Sequence, residues 1–274
     1  MYGLELFAGE RSFSTEALKW LPTGSRILSL DWKAPQTPSE DYLTLRLSDW
    51  KHLKEWPPGT PPWWERRFGA NPANAFDFVW ASPPCTWYSR ARTTGKASQR
   101  GSREHEMQMV LADRMVIKAR EIIGALKPRH FFLENPRGGL QNRACMADIR
   151  HWKRDLSYCQ YGTAFRKDEQ LWTNLAVDLR RCSVRHPCPS LAGRLEKGLS
   201  GHSVTAQAGP SGSGQPGSKT AAAVNGIPTA LTKVLVRRML NPRHLGDDLT
   251  EETSTDGHGE VYVAEGAVMR EPVT

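Results

Sequence analysis

Residues 76–85 read Phe76-Asp77-Phe78-Val79-Trp80-Ala81-Ser82-Pro83-Pro84-Cys85. The first six predict a buried strand, because short apolar runs rich in aromatic and β-branched residues are typical of strands in parallel sheets. The two prolines fix φ and remove two amide donors, so the thiol of Cys85 is presented rigidly beyond the strand. Ligands of open α/β sheets bind at the carboxyl ends of strands, and a thiol is a strong nucleophile. The stretch therefore predicts an α/β fold with covalent chemistry at position 85.

Segments that predict strands alternate with segments that predict helices along the rest of the chain. Strands are predicted at 4–8, 26–30, 42–47, 76–81 and 130–133, with a further pair at 157–161 and 170–175. Helices are predicted at 15–21, 104–126, 142–156 and 228–240. Such alternation is typical of a parallel, doubly wound α/β sheet.

The composition favours a polyanionic partner. The chain has 274 residues, 39% of them hydrophobic, and a formal net charge of +8. Residues 241–274 hold eight acids and two basic residues, a balance of −6, which leaves +14 on the first 240 residues. A body this basic suits a nucleic acid, although many basic proteins bind none.

Compartment and cysteine usage lead to further expectations. The five cysteines are scattered and odd in number, which favours reduced thiols over a disulfide framework. No apolar run is long enough for a membrane helix, and the first residues lack the basic start of a signal peptide. We expect a soluble intracellular protein without a membrane partner.

Glycine and acidic residues follow the first three predicted strands. Gly9 follows the first, Asp31 and Trp32 follow the second, and Asp49 follows the third. Glycine allows close approach to the backbone, a carboxylate suits a ribose diol, and a tryptophan face suits a purine. Because these strand ends share one edge, they predict a nucleoside ligand, although Asp31 alone could be a cap and Trp32 alone could be core. A Gly-x-Gly-x-x-Gly pattern is absent, which disfavours a diphosphate.

A carboxylate is the second candidate for the chemistry. Glu134 follows Phe131-Phe132-Leu133, and Pro136 with Gly138-Gly139 turns the chain immediately afterwards. An acid after three apolar residues is costly to bury without a partner. The pattern is compatible with an acid at the strand tip near Cys85, but for Glu134 alone we favour an ordinary cap or ion pair.

Three motifs together resemble the DNA cytosine-5-methyltransferases, in particular short phage or bacterial members. They are Phe7-Ala8-Gly9, Ser82-Pro83-Pro84-Cys85 and Leu133-Glu134-Asn135-Pro136, in the order and approximate spacing of that family. Residues 161–167 and Asn225-Gly226-Ile227-Pro228 resemble two later motifs.

The resemblance implies a Rossmann-like fold that binds S-adenosylmethionine and a small irregular target-recognition region. The expected domains are a catalytic domain at 1–175, a recognition region at 176–224 with a Gly/Ser-rich loop, a returning helix at 225–240 and an acidic, disordered tail at 241–274. The cofactor-binding residues implied are Glu5, Phe7, Gly9, Asp31, Trp32, Asp49, Pro83 and Asn225.

The resemblance also implies the reaction. A cytosine would be flipped out of double-stranded DNA, the Cys85 thiolate would attack its C6, and Glu134 would hold its N3/N4 edge. Arg166 and Lys167 would stabilise the pocket and the nucleotide backbone. A lowered pKa of Cys85 would be needed, which nearby cations could provide. The setting implied is a bacterial cytoplasm, for a nucleoid-associated or phage-encoded monomer.

The loop after the nucleophile carries cations and no acid before Glu104. We expect them to contact DNA phosphates, although an ordinary solvated loop is the alternative. The candidate residues are Arg90, Arg92, Lys96, Arg100 and Arg103.

A weaker pattern lies further along the chain. Cys182, His186 and Cys188 are close in sequence, with Cys159 and His202 further away, and such a set could hold zinc. The spacing is not a strong zinc pattern, so we favour a loop of packed or exposed thiols and expect no metal.

Three other functions stay open on the sequence alone. An amino-methyltransferase acting on adenine N6 or cytosine N4 also uses a Pro-Pro turn, but an aromatic residue follows it where this chain has Cys85. A tRNA cytosine-5-methyltransferase would share the motifs. A catalytically inactive DNA-binding protein would have no reason to keep both Cys85 and Glu134.

Overall fold

The computed structural model describes residues 1–33, 39–49, 73–88, 102–163, 165–199, 201–202 and 226–241. The predicted recognition region is only partly inside these ranges, and the predicted acidic tail lies outside them except for its first residue.

The described residues form a seven-stranded sheet in the order β3-β2-β1-β4-β5-β7-β6. Its strands are β1 (Tyr2–Leu6), β2 (Arg26–Asp31), β3 (Tyr42–Thr44), β4 (Phe78–Ala81), β5 (His130–Pro136), β6 (Lys153–Ser157) and β7 (Asp168–Thr173). Strands β1 to β5 pair in parallel, and β7 runs antiparallel to both of its neighbours. The predicted Rossmann-like, mainly parallel α/β sheet is confirmed.

The strand order reverses direction between β1 and β4. From β1 the chain moves outward through β2 to β3, then returns to place β4 on the other side of β1. The connections on the two sides of such a reversal leave in opposite directions, which opens a crevice beyond the carboxyl ends of the two central strands. This crevice is bounded by the turn after β1 and by the Pro-Pro-Cys turn after β4.

Helices cover both faces of the sheet. On one face, α1 (Ser12–Ala17) and α4 (Thr229–Leu240) pack together on a core that includes Trp80 and Phe132. The ring of Phe13 from α1 stacks on Trp80 at 4.1 Å. On the other face, α2 (Arg103–Leu126) buries Ala119, Ile122 and Leu126 against the sheet.

One glycine is required by this packing. Gly3 lies in the middle of β1, beside Phe78 on β4. A Cβ atom at position 3 would overlap the Phe78 ring. The glycine therefore lets a large aromatic side chain fill the centre of the sheet.

The helix predicted at 142–156 is wrong. Residues 140–152 form three short 3₁₀ turns instead, and the chain then enters β6 at Lys153. Met146 and Ile149 pack into the core from these turns. However, residues 153–157 pair with β7, and these backbone hydrogen bonds replace those of a helix. The predicted strand at 157–161 is correspondingly a 3₁₀ turn, Tyr158–Tyr161, after β6.

A short helix, α3 (Pro189–Leu195), lies in the region where the sequence predicted only irregular structure. No helix of the described residues is both long and apolar enough to cross a membrane.

Candidate active site

A cavity of about 530 Å³ lies at the crevice between β1 and β4. Its lining comes from the end of β1 and the turn after it, the Pro-Pro-Cys turn after β4, the end of β5, the residue just before β7 and the residues just before α4. It is lined by Glu5, Phe7, Ala8, Gly9, Glu10, Ser12, Ser82, Pro83, Pro84, Cys85, Glu134, Pro136, Lys167, Gly226 and Ile227. Seven residues predicted for the site from sequence therefore meet in one place: Glu5, Phe7, Gly9, Pro83, Cys85, Glu134 and Lys167.

The turn after β1 has an unusual backbone. Phe7, Gly9 and Arg11 have φ angles of 58°, 48° and 61°. Positive φ angles cost glycine little energy but are uncommon for other residues. Where a residue with a large side chain adopts one, the position is often functional or strained. Three left-handed residues within five positions curl the chain tightly at the cavity wall.

Asp31 holds this turn in place. Its Oδ2 accepts a hydrogen bond from the Gly9 amide at 3.0 Å, and its Oδ1 accepts one from the Lys33 amide at 3.1 Å. Trp32 lies beside it with 64% of its surface exposed. Neither residue lines the cavity, and Asp49 does not line it either.

Glu5 lies buried on the cavity floor. The Ser14 hydroxyl and amide and the Ser29 hydroxyl all donate to its Oε2. Burial nevertheless outweighs these hydrogen bonds and raises the pKa of Glu5 to about 7. The carboxyl is therefore close to half-protonated near neutral pH.

The two motif turns beside the cavity are joined by a buried hydrogen bond. The Nδ2 of Asn135 donates to the carbonyl oxygen of Pro83 at 2.8 Å. Asn135 is fully buried. The bond fixes the turn of Cys85 against the end of β5, which carries Glu134.

Glu134 belongs to a buried network of charged and polar groups. The Tyr158 hydroxyl donates to Glu134 Oε1 at 3.1 Å. The Lys167 ammonium lies 2.7 Å from Oε1 of Glu169, which is completely buried. Burial disfavours the charge on Lys167, but Glu169 and Glu134 outweigh it and raise the pKa of Lys167. Burial and the neighbouring Glu134 raise the pKa of Glu169 well above its usual value.

The expectation of a lowered pKa at Cys85 is not met by the described residues. Burial and the negative charges of Glu134 and Glu169 raise the pKa of Cys85, and Lys167 offsets only part of this. The thiol is therefore protonated near neutral pH in this form of the protein, and it needs a further change before it can act as a thiolate.

Arg166 is placed differently from its neighbour Lys167. Its guanidinium pairs with Asp168, with Nη2 2.9 Å from Oδ2, and it is not among the described residues that line the cavity. Successive residues entering a strand point to opposite sides, so only one of the two can face the cavity.

Several predicted contact residues lie outside the described ranges: Arg90, Arg92, Lys96, Arg100 and Asn225. Gly226 and Ile227, which follow Asn225, do line the cavity. Arg103 is exposed on the first turn of α2.

Sequence reasoning missed Tyr158 and Glu169. Glu169 lies in a segment whose partner strand was predicted at the wrong position, so its closeness to Glu134 could not be read from the sequence. Tyr158 was assigned to a strand, where its hydroxyl had no defined direction.

The structure groups the candidate zinc ligands differently from the sequence. Cys182 and Cys188 approach Cys159 and His202, whereas His186 is exposed on a turn and lies outside the group. The amide of His186 bonds Ser183 Oγ at 3.1 Å. His186 is therefore wrong as a candidate ligand, and His202 replaces it.

Comparison with known proteins gives a match in a virus. The chain is 30% identical over 141 residues to a protein of Frog virus 3 (isolate Goorha) named "Probable DNA (cytosine-5)-methyltransferase". The match covers 50% of this chain and 64% of the viral protein, so the chain spans a little under two thirds of its relative's length. No protein-family model matches the chain.

A solved structure of an inferred DNA modification methyltransferase, encoded within an Escherichia coli prophage, has 11% identity to the chain and a TM-score of 0.36. That comparison covers 63% of this chain and 46% of the prophage protein. The viral match confirms the resemblance to the DNA cytosine-5-methyltransferases that the motifs indicated.

Proposed function

We propose that this protein transfers a methyl group from S-adenosylmethionine to C5 of a cytosine flipped out of DNA. The observation that carries the proposal is a single cavity that holds Cys85, Glu134 and Lys167 beside the glycine turn after β1. A binding protein gains nothing from a thiol and a carboxylate in one buried cavity.

The residues after β1 and β2 fit the cofactor. A Cβ built at Gly9 meets nothing within 4 Å, so the backbone there borders open space in which a ligand can approach. The exposed face of Trp32 is available for an adenine ring, and Asp31 lies between the two. The cofactor would supply an electrophilic methyl group to this end of the cavity.

The chain's own groups would act on the base at the other end. Cys85, once deprotonated, bonds through Sγ to C6 of the ring. Glu134 holds the N3/N4 edge and so favours the electron-rich ring that forms when the sulfur adds to C6. C5 thereby becomes nucleophilic and accepts the methyl group. Water then takes the C5 proton, the electron pair of that C–H bond re-forms the C5–C6 double bond, and the Cys85 sulfur leaves C6 as a thiolate, which restores the protein.

The network around Glu134 suits this role. Tyr158 orients the carboxyl, and the charges of Lys167 and Glu169 surround it in a buried setting. Fixed dipoles and charges of this kind act strongly where water is excluded.

DNA is favoured as the substrate by two observations. The first 240 residues carry a net charge of +14, which suits a phosphate backbone. The viral relative's name specifies DNA and the C5 position of cytosine. Base flipping would bring the target ring to Cys85, which no intact duplex could do.

A trapping experiment tests the proposal directly. A duplex that contains 5-fluorocytosine cannot lose a proton from C5, so with cofactor present it should form a covalent complex with the protein that survives denaturation. Cys85→Ser should abolish both the complex and methyl transfer, and Cys145→Ser, which alters a half-buried thiol outside the cavity lining, should leave both unchanged.

Nucleoside mass spectrometry of mixed-sequence DNA after incubation should show 5-methylcytosine. Formation of N4-methylcytosine or N6-methyladenine, or retained transfer by Cys85→Ser, would overturn the covalent mechanism. Modification of tRNA but not of DNA would reassign the substrate.

A further inference from the structure

Four atoms of the kinds that hold zinc meet beside the turn after β6. The Nε2 of His202 lies 3.8 Å from Cys159 Sγ, 3.3 Å from Cys182 Sγ and 3.6 Å from Cys188 Sγ. All four ligand atoms lie within 4.8 Å of one another. Tetrahedral zinc bonded to sulfur at about 2.3 Å and to nitrogen at about 2.0 Å separates N from S by roughly 3.6 Å. The cluster has the dimensions of such a centre.

We propose that Cys159, Cys182, Cys188 and His202 bind one structural zinc ion. Four protein ligands complete a tetrahedron and leave no position for water or substrate, which is the arrangement of structural rather than catalytic zinc. None of the four is among the described residues that line the cavity. Thiolate and imidazole ligands favour zinc over the hard cations calcium and magnesium.

Simple apolar packing accounts for the group poorly. Buried cysteines often pack as small hydrophobes, and Leu191 and Leu195 do contact these three. Packing does not explain why an imidazole nitrogen points among three sulfur atoms. Disulfide formation is no better an explanation, because three thiols cannot all pair within the cluster and all are free.

The surroundings of the cluster support bound thiolates. The Cys188 amide donates to Cys182 Sγ at 3.4 Å, a contact that stabilises a negative sulfur. Zinc with three thiolates and a neutral imidazole has a net charge of −1, and the Arg166 guanidinium lies within electrostatic range of Cys159 and Cys182. Arg194 also donates to the carbonyl oxygen of Gly201 at 2.8 Å, which holds the chain next to His202.

The ion would fasten two parts of the molecule together. Cys159 lies on the 3₁₀ turn after β6, whereas the other three ligands come from the chain that follows β7 and flank α3. The neighbour of Cys159 is Tyr158, whose hydroxyl bonds Glu134. Zinc would therefore anchor residues 182–202 and brace the turn that orients the cavity carboxyl.

Metal analysis of the wild-type protein is the first test. Protein purified from zinc-supplemented cells under reducing conditions, without chelator, should contain one zinc per chain by inductively coupled plasma mass spectrometry. A thiol reagent should leave Cys159, Cys182 and Cys188 unmodified until a strong chelator removes the metal and exposes them. Substoichiometric zinc together with five reactive thiols before chelation would overturn the proposal.

Two histidine variants give a matched comparison. His202→Ala should lose most of the zinc, whereas His186→Ala, on the same segment, should keep a full equivalent. Equal retention by both variants would overturn the ligand set. Should His202→Ala fail to fold, cobalt substitution of the wild type decides instead: tetrahedral cobalt with thiolate charge-transfer bands supports the site, and an octahedral spectrum overturns it. None of these measurements requires methyl transfer, so the outcome is independent of the proposed function.

Discussion

Asn135 and Pro83 are joined by a hydrogen bond of 2.8 Å that crosses from the end of β5 to the end of β4. The bond ties the strand that carries Glu134 to the turn that carries Cys85. This side-chain hydrogen bond adds to the backbone hydrogen bonds of the sheet in holding the two strand ends together. It therefore helps to set the distance between the Cys85 thiol and the Glu134 carboxyl.

Replacement of Asn135 by Asp should separate those groups. Aspartate cannot donate to the Pro83 carbonyl when ionised, and it adds a third buried acid to Glu134 and Glu169. We expect the free energy of unfolding to fall by about 1–3 kcal/mol. The rate of methyl transfer should fall by more than the loss of folded protein can explain. Chemical denaturation and single-turnover kinetics on the same sample would check this. A variant of normal stability and normal rate would show that the bond has no positioning role.

Tyr158→Phe should slow the reaction without unfolding the protein. The ring is fully buried and phenylalanine fills the same volume, so only the hydrogen bond to Glu134 is removed. A hydrogen bond to a charged group contributes roughly 1.5–3 kcal/mol, which corresponds to about a tenfold or larger loss in kcat if the bond acts in the transition state. The KM for DNA should change little. Tyr161→Phe is the control, because the Tyr161 hydroxyl accepts from the Arg180 amide instead; an equal loss of kcat in both variants would refute a specific role for Tyr158.

The reactivity of Cys85 should follow the charge around it. Burial and Glu134 raise the pKa of its thiol, whereas Lys167 lowers it. Glu134→Gln should therefore move the pH profile of Cys85 alkylation to lower pH, and Lys167→Met should move it to higher pH. Iodoacetamide labelling with peptide mass spectrometry, in a Cys145→Ser background, measures both. Unchanged midpoints would mean that these groups do not control the thiol.

Stability should decrease between about pH 4.5 and pH 7 because of Glu5. Its pKa rises from 4.5 to about 7 on folding, mainly through burial. In that interval the native state binds more protons than the unfolded state, so the free energy of unfolding falls as the pH rises, by at most about 3 kcal/mol. Glu5→Gln should reduce this slope and stabilise the protein at pH 8, whereas Glu10→Gln, at an exposed position, should not. Urea denaturation across the pH range would show the difference, and parallel curves for wild type and Glu5→Gln would contradict the expectation.

Local signals allowed some elements to be predicted closely. Helix α2 was predicted at 104–126 and spans Arg103–Leu126, because Ser102 accepts from the His105 amide at one end and Lys127 with Pro128 ends the helix at the other. The positions of Cys85 and Glu134 followed from the prolines that end β4 and β5. In contrast, the helix predicted at 142–156 failed, because pairing with β7 lies outside the segment itself.

The contrast between local sequence signals and long-range strand pairing also applies to the cavity and to the sulfur cluster. The cavity residues could be predicted since they follow strand ends that topology brings together. The closeness of Glu169 to Glu134 could not, because it requires the antiparallel register of β7 on β5, which sets Pro136 opposite Glu169. Within the sulfur cluster, closeness in sequence favoured His186, whereas the fold brings His202, which is more distant in sequence, to the three sulfur atoms.

The buried Lys167–Glu169 pair restricts which substitutions this protein can tolerate. Removal of either charge leaves the other group, which is buried or nearly buried, uncompensated beside Glu134. Single changes at these positions should be harmful, while coordinated changes that keep the total charge can survive. In a library of random variants, positions 167 and 169 should therefore show strong epistasis and vary together.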